Sequence, residues 1–219
     1  QGCAYPAVPT GPSANPAYIP HIAEGIEASA RNEFTCLSRP MSNVLSNKTA
    51  IVHGIALTAQ DVALMAQTGT SLVWSPRSNV SLYGDTAAIP LFVRLGVNVA
   101  LGTDWTISGS MNLLRELRCA DGLNTGSFDR VLSDEALWRL VTANGADATR
   151  TEASIGRLAV GKLGDLAIFR RKPGSFYRAV IDAEPQDVLL TMRGGKALYG
   201  DQALVAAFDA AGMCDALDA

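Results

Sequence analysis

The chain contains only two histidines, and each closes a short apolar run: His21 ends AYIPH and His53 ends TAIVH. A third run of this kind, NVALGTD, ends on Asp104. Neutral imidazole and carboxylate are the donors suited to a catalytic Zn²⁺ or Fe²⁺, so these positions become a metal site if folding brings them together. Glu24 follows His21 by three residues in HIAE. A carboxylate placed there can carry a proton between an attacking water and a leaving nitrogen. Each residue also has an ordinary explanation. A lone histidine is more often a surface or satisfied core residue, an aspartate after a strand often caps the next helix, and Glu24 could be a solvated loop acid. Coincidence at three strand ends, with no histidine elsewhere, weighs against the ordinary explanations taken together.

The elements that must position these residues are legible as alternating strand and helix patterns. Residues 1–16 are rich in Pro, Gly, Ala and Ser and read as a loop. Strands are expected over Ala17–Ile22, Thr49–His53, Ser71–Trp74 and Val97–Leu101, with helices near Ile26–Leu37, Ala59–Gln67, Ala87–Leu95 and Met111–Ala120. Repeated units of this kind imply a parallel sheet with helices packed outside it. In a barrel of such units the C-terminal strand ends carry the catalytic groups, and that is where His21, His53 and Asp104 fall. Farther on, Asp134–Ala148 reads as one amphipathic helix with Ser133 as its N-cap. Ile155–Phe169 holds two short apolar runs punctuated by glycines. Asp187–Tyr199 reads as two strands around Gly194–Gly195, a hairpin signal. Residues 206–219 have no clear assignment.

Composition narrows the classes. At 219 residues, 48% apolar and 6% aromatic, the chain can bury an α/β core filled mainly by Ala, Leu and Val. Net charge is −3 with no run of Lys and Arg, so neither nucleic acid nor an anionic membrane is an expected partner. Cys3, Cys36, Cys119 and Cys214 lie far apart with no CxxC pair, and read as reduced thiols of a cytoplasmic protein. The N-terminal stretch lacks the basic start and apolar core of a signal peptide, and it also lacks an initiator Met, as a chain that has lost its beginning would.

The motifs, taken in order, resemble the amidohydrolase superfamily, in particular its deaminases and chlorotriazine hydrolases. HIAEG at His21–Gly25 resembles the HxxE segment of the fifth barrel strand. Ile51–Asn79 resembles the sixth and seventh strands, with an HG pair and the S-P-x-S-N signature, and Leu101–Leu117 resembles the eighth strand with its GTD. IGRLAVGKLGDLAIF resembles the closing segment of these proteins, so the resemblance runs from about residue 17 to residue 200. It implies the C-terminal half, strands five to eight, of a TIM-like (β/α)8 barrel over residues 17–150. The C-terminal strands of a small composite β-sandwich are implied over 151–205, followed by a tail over 206–219.

The implied roles are concrete. His21 and Asp104 hold one divalent metal, zinc first and iron second, and Asp104 also takes a proton from the activated water. Glu24 carries the proton to the leaving group, and His53 lies beside the metal and polarises the reacting centre. A bound metal lowers the pKa of its water from about 15.7 to about 7. Arg77, Ser78 and Asn79 follow the seventh strand and either contact substrate or shape the turn around Pro76. Trp74 and Trp105 flank the expected pocket and could stack on a planar ring, although core packing explains Trp74 equally well. The implied reaction is metal-assisted hydrolysis of a C–N bond, deamination of a small heterocyclic amidine or an amide.

One departure from the family is large. The HxH pair that its members carry on the first strand has no counterpart here, because strands one to four are absent. The expected partner is therefore a missing N-terminal half or a second chain, a homo-oligomer included, and the isolated fragment is expected to be inactive. A non-catalytic half-barrel used for binding or assembly is the alternative of another class. A two-carboxylate glycosidase gives no reason for two histidines to end successive strands.

Overall fold

A computed structural model describes residues 2–3, 16–40, 42–171, 173–174 and 176–208. The loop expected over residues 4–15, and the tail beyond residue 208, lie outside the described residues.

Four strands make one parallel sheet in the order of the chain: β1 (His21–Ile22), β2 (Ala50–His53), β3 (Ser71–Trp74) and β4 (Val99–Leu101). Helices connect them: α1 (Ala28–Leu37), α2 (Ala59–Thr68), then α3 (Pro76–Tyr83) and α4 (Ile89–Arg94) in tandem. Strand β2 reads AIVH and is buried along its whole length, as befits a strand covered on both faces. Registers of Ile22 with His53, Ala50 with Ser71 and Trp74 with Leu101 align the C-terminal strand ends at one edge. The first strand is shorter than Ala17–Ile22. Only His21 and Ile22 pair as strand, and Tyr18 adds an isolated bridge to Thr49. Pro16 and Pro20 lack the N–H that a continuous ladder needs.

Beyond β4 come α5 (Leu113–Gly126), α6 (Asp134–Leu140) and α7 (Ala143–Thr149). Ser133 caps α6 as expected, its hydroxyl accepting from the Ala136 N–H at 3.2 Å. The single helix expected over 134–148 is broken at Thr142, whose backbone leaves the helical region at φ −129° and ψ −99°. The cause is tertiary. Asn144 donates to the Val99 carbonyl at 2.8 Å and Asn98 donates to the Asn144 carbonyl at 3.1 Å, which docks α7 on β4 at its own angle.

A second sheet is antiparallel: β5 (Leu166–Phe169), β6 (Val188–Arg193) and β7 (Lys196–Gly200), in that order, with α8 (Arg178–Ile181) inserted and α9 (Gln202–Phe208) following. Gly194 and Gly195 take φ of 58° and 79°, the left-handed pair that a two-residue hairpin requires, and Arg193 pairs with Lys196 across it.

The reading of four reduced cysteines is corrected. Cys3 and Cys36 form a disulfide that ties the N-terminal segment to α1. Cys119 is a free thiol whose pKa burial pushes up. A disulfide persists in an oxidising environment, so cysteine spacing loses its force as an argument for the cytoplasm. No helix among the described residues is long and apolar enough to cross a membrane.

The core lies between the parallel sheet and its helices, where Ile51, Val62, Met65, Leu72, Trp74, Ile89, Phe92 and Leu117 are all fully buried. Leu72 is central: its Cδ1 would lie 2.9 Å from a Cβ placed on Gly54, directly after His53. Leu72→Ala is expected to lower the unfolding free energy by about 3 kcal/mol, read from the urea midpoint at constant m-value. Peptide mapping without reductant is expected to recover Cys3 and Cys36 in one linked pair of peptides, and separate peptides would contradict the disulfide.

Candidate active site

The ends of three strands bring four polar side chains to one place. His21 lies on β1, His53 closes β2, and Asp104 follows β4 after Gly102 and Thr103. The His21 and His53 rings are 5.0 Å apart between centroids. His21 Nε2 is 3.9 Å from Asp104 Oδ1, and His53 Nε2 is 3.9 Å from Asp104 Oδ2. Glu24 Oε2 lies 3.5 Å from His53 Nε2. Burial grades across the group: the His53 side chain is wholly buried and the His21 side chain is 58% exposed, so the site opens at β1.

Two of these residues occupy uncommon backbone conformations. His53 has φ 74° and Asp104 has φ 55°, both left-handed and neither a glycine. Such geometry costs on the order of 1–2 kcal/mol per residue and persists where surrounding contacts over-determine it. Those contacts are visible. His53 Nδ1 lies 2.8 Å from Asn79 Oδ1, and Asn79 Nδ2 donates to Thr86 Oγ1 at 3.1 Å. The amide is thereby oriented with its oxygen towards the imidazole, so His53 carries its proton on Nδ1 and turns a bare Nε2 into the site. Ser78 donates from Oγ to Asp104 Oδ2 and shares a 3.1 Å contact with Ser108 Oγ. The loop carrying Asp104 folds back tightly, because a Cβ at Gly109 would fall 1.9 Å from the Thr103 carbonyl oxygen.

Glu24 is held from two sides. Its loop is fixed by Glu33 on α1, which accepts the Ala23 N–H at 3.0 Å. Its Oε1 accepts the Tyr83 hydroxyl at 3.0 Å. Burial, followed by the bond to Glu24 and the charges of Glu24, Glu27 and Asp104, raises the Tyr83 phenol above its ordinary value.

A divalent cation fits this donor set on two observations. His21, His53 and Asp104 each offer one ligand atom, and these atoms lie within 4.8 Å of one another. His53 Nε2 is a buried nitrogen with no hydrogen-bond partner. Leaving such a group unmade costs about 1–3 kcal/mol, and an ion or a reacting molecule at the shared point would relieve it.

The remaining expected residues separate. Asn79 is fully buried behind His53, in contact with His53 and Thr86. Trp74 is also fully buried; its indole N–H donates to Thr86 Oγ1 at 2.8 Å and its ring tilts against Phe128. Core packing therefore accounts for Trp74, and no face of its ring is left to stack on a ligand. Arg77 opens α3 and points its Nε to Ser110 Oγ at 3.0 Å. Trp105, next to Asp104, is 64% exposed and available for stacking. Tyr83, Thr86 and Ser108 carried no signal in the sequence. Helix α3 was itself unexpected, and only a helix places Tyr83 one turn beyond Asn79, on the same face.

Glu116 underlies α3. It is wholly buried, accepts the Arg77 backbone N–H at 3.0 Å, and keeps Oε2 without a partner. Burial raises its carboxyl pKa above the ordinary value, against the pull of bonds from Ser110 and the Arg77 N–H. The folded state thus holds this proton more firmly than the unfolded chain does. The resulting stability is complete below the ordinary pKa of 4.5 and is lost as pH rises through the folded-state value. Subtracting the urea stability of Glu116→Gln from that of the wild type over a pH series is expected to give a difference that falls with rising pH and then levels. A flat difference would remove the linkage.

A model of the Amidohydrolase family matches residues 21–198. The 5-methylthioadenosine/S-adenosylhomocysteine deaminase of Thermococcus kodakarensis is 32% identical over 164 residues, 70% of this chain and 38% of that protein. The enzyme of the same name from Syntrophobacter fumaroxidans is 37% identical over 125 residues, 55% of this chain and 28% of that protein. Among solved structures, an adenosine deaminase from Xanthomonas campestris with bound zinc superposes with TM-score 0.75 at 24% identity. It covers 87% of this chain and 48% of that one. The chain thus matches less than half the length of each of these relatives.

Proposed function

Since this chain belongs to the amidohydrolase family, we propose that it carries part of the active site of a metal-dependent hydrolase that deaminates a ring amidine. The observation that carries this reading is the convergence of His21, His53 and Asp104 with Glu24 at one sheet edge. Similarity to proteins named as deaminases of 5-methylthioadenosine and S-adenosylhomocysteine supports a purine-type substrate.

His21 and Asp104 would hold the metal, zinc by analogy with the zinc-bound relative. When bound, the ion supplies a Lewis acid that lets water attack at neutral pH. Asp104 accepts the proton of the attacking water at the oxygen not engaged by Ser78. Glu24 takes up the water's other proton at Oε2 and delivers it to the leaving nitrogen, which departs as ammonia, while the proton held on Asp104 passes to the ring nitrogen. His53 keeps its Nδ1 proton on Asn79 and presents Nε2 to the reacting carbon's substituents, which it orients and polarises. Trp105 offers a ring face for a planar heterocycle; Asn79 acts through the imidazole it holds, and Arg77, with its Nε on Ser110, is a candidate contact for the substrate.

The four-stranded parallel sheet is read as strands five to eight of a (β/α)8 barrel over residues 17–150. The three-stranded sheet is read as part of a composite β-sandwich over 151–205. Coverage of 48% of the superposed deaminase, and two sheet edges at β1 and β4 with no strand beside them among the described residues, support this division. Closure then falls to an N-terminal half or a second chain, and catalysis belongs to the closed barrel.

Zinc binding by this chain tests the site without requiring turnover. One equivalent per chain is expected in competition with a chromogenic chelator. His21→Ala and Asp104→Ala should each weaken it by more than about tenfold, since even outer partners of metal ligands are worth that much. Affinity unchanged in both variants would overturn the assignment.

A further inference from the structure

Glu24 can serve as a proton carrier only if one carboxylate oxygen faces the reacting centre while the other is held. Its Oε2 is 3.5 Å from His53 Nε2, and its Oε1 accepts from the Tyr83 hydroxyl at 3.0 Å. The 59-residue separation makes this a tertiary contact, between the loop after β1 and the last residue of α3. The Tyr83 ring is seated as well as bonded. A Cβ on Gly25 would lie 3.9 Å from Tyr83 Cε1, which places the ring edge over the backbone that immediately follows Glu24. That backbone is itself unusual, with φ 57° at Ala23 and 128° at Gly25 on either side of the carboxylate.

The neighbouring residues of α3 do related work. Ser78 holds Asp104 and Asn79 holds His53, so Tyr83 completes a set in which one helix restrains three of the four site residues. Asn79 and Tyr83 are one turn apart, and the helix therefore sets the spacing between the imidazole and the carboxylate.

We propose that Tyr83 is a positioning residue for Glu24: its hydroxyl occupies Oε1 and leaves Oε2 as the oxygen that exchanges a proton at the active centre. This rests on the reading of Glu24 as the proton carrier. The charges of Glu24, Glu27 and Asp104, which raise the phenol's pKa, are all acidic.

Two measurements decide it. The first is ultraviolet titration of the phenol, isolated as wild type minus Tyr83→Phe. Its midpoint is expected above that of an ordinary tyrosine, and the same difference taken in the Glu24→Gln background should have a lower midpoint. An unmoved midpoint would mean that the two side chains do not meet. The second is a pair of crystal structures, wild type and Tyr83→Phe. The variant removes one oxygen, and Glu24 Oε2 is expected to swing away from His53 Nε2; a carboxylate that stays in place overturns the positioning role. Should Tyr83→Phe fail to fold, Tyr83→Leu serves as the titration reference and the crystallographic variant, since its side chain also lacks any donor. Loss of the zinc site with the phenol still responsive to Glu24→Gln and Glu24 displaced in the variant would remove the hydrolase reading and leave the positioning contact standing.

Discussion

The rest of the site depends on how a fully buried imidazole is satisfied. His53 is fully buried and has two ring nitrogens to satisfy. Asn79 takes one of them at 2.8 Å, and because Thr86 orients the Asn79 amide, the tautomer follows. The other nitrogen is left bare, in the direction of two carboxylates and a second imidazole. Burial makes that unpartnered lone pair costly, by about 1–3 kcal/mol. Outer partners of this kind commonly decide how a histidine presents itself to a metal or a reacting group.

The supporting shell is concentrated on one short helix. Helix α3 starts with Pro76 at its first turn, where a missing N–H is harmless, and ends at Gly84 in the left-handed conformation. Its N-terminus is anchored from below by Glu116, which accepts the Arg77 N–H. The side chains of Ser78, Asn79 and Tyr83 then reach Asp104, His53 and Glu24. A rigid element fixes relative positions better than separate loops can, and proton transfer and metal binding are sensitive to displacements of about 1 Å. Trp74 contributes indirectly: its indole N–H shares Thr86 with Asn79, linking the core to the orientation of the amide.

Membership of the amidohydrolase family and the chain's modest share of its relatives' length belong together physically. Parallel strands are stable when both faces and both edges are covered. Here β2 and β3 have neighbours on each side, while β1 and β4 end the sheet among the described residues. The disulfide joins Cys3 to Cys36 on α1. It also shows how weak an argument from cysteine spacing is: a 33-residue separation carries no pattern, yet two Cα atoms meet at 5.4 Å.

From residue order alone, the alternation of apolar runs and helical patterns determined a parallel α/β sheet. The fall of His21, His53 and Asp104 at strand ends marked them as residues of one sheet edge, where the structure brings them together. Those signals are local, because a strand end is set by the pattern around it, and so is the Gly194–Gly195 hairpin. Helix α3, the break at Thr142, the disulfide and the partners of each site residue were decided only in three dimensions. Asn144 reaching the Val99 carbonyl overrides a continuous helical pattern, and Tyr83 meets Glu24 across 59 residues with no periodicity linking them. A side chain's type limits which bonds it can make, but only packing chooses the atom that receives them.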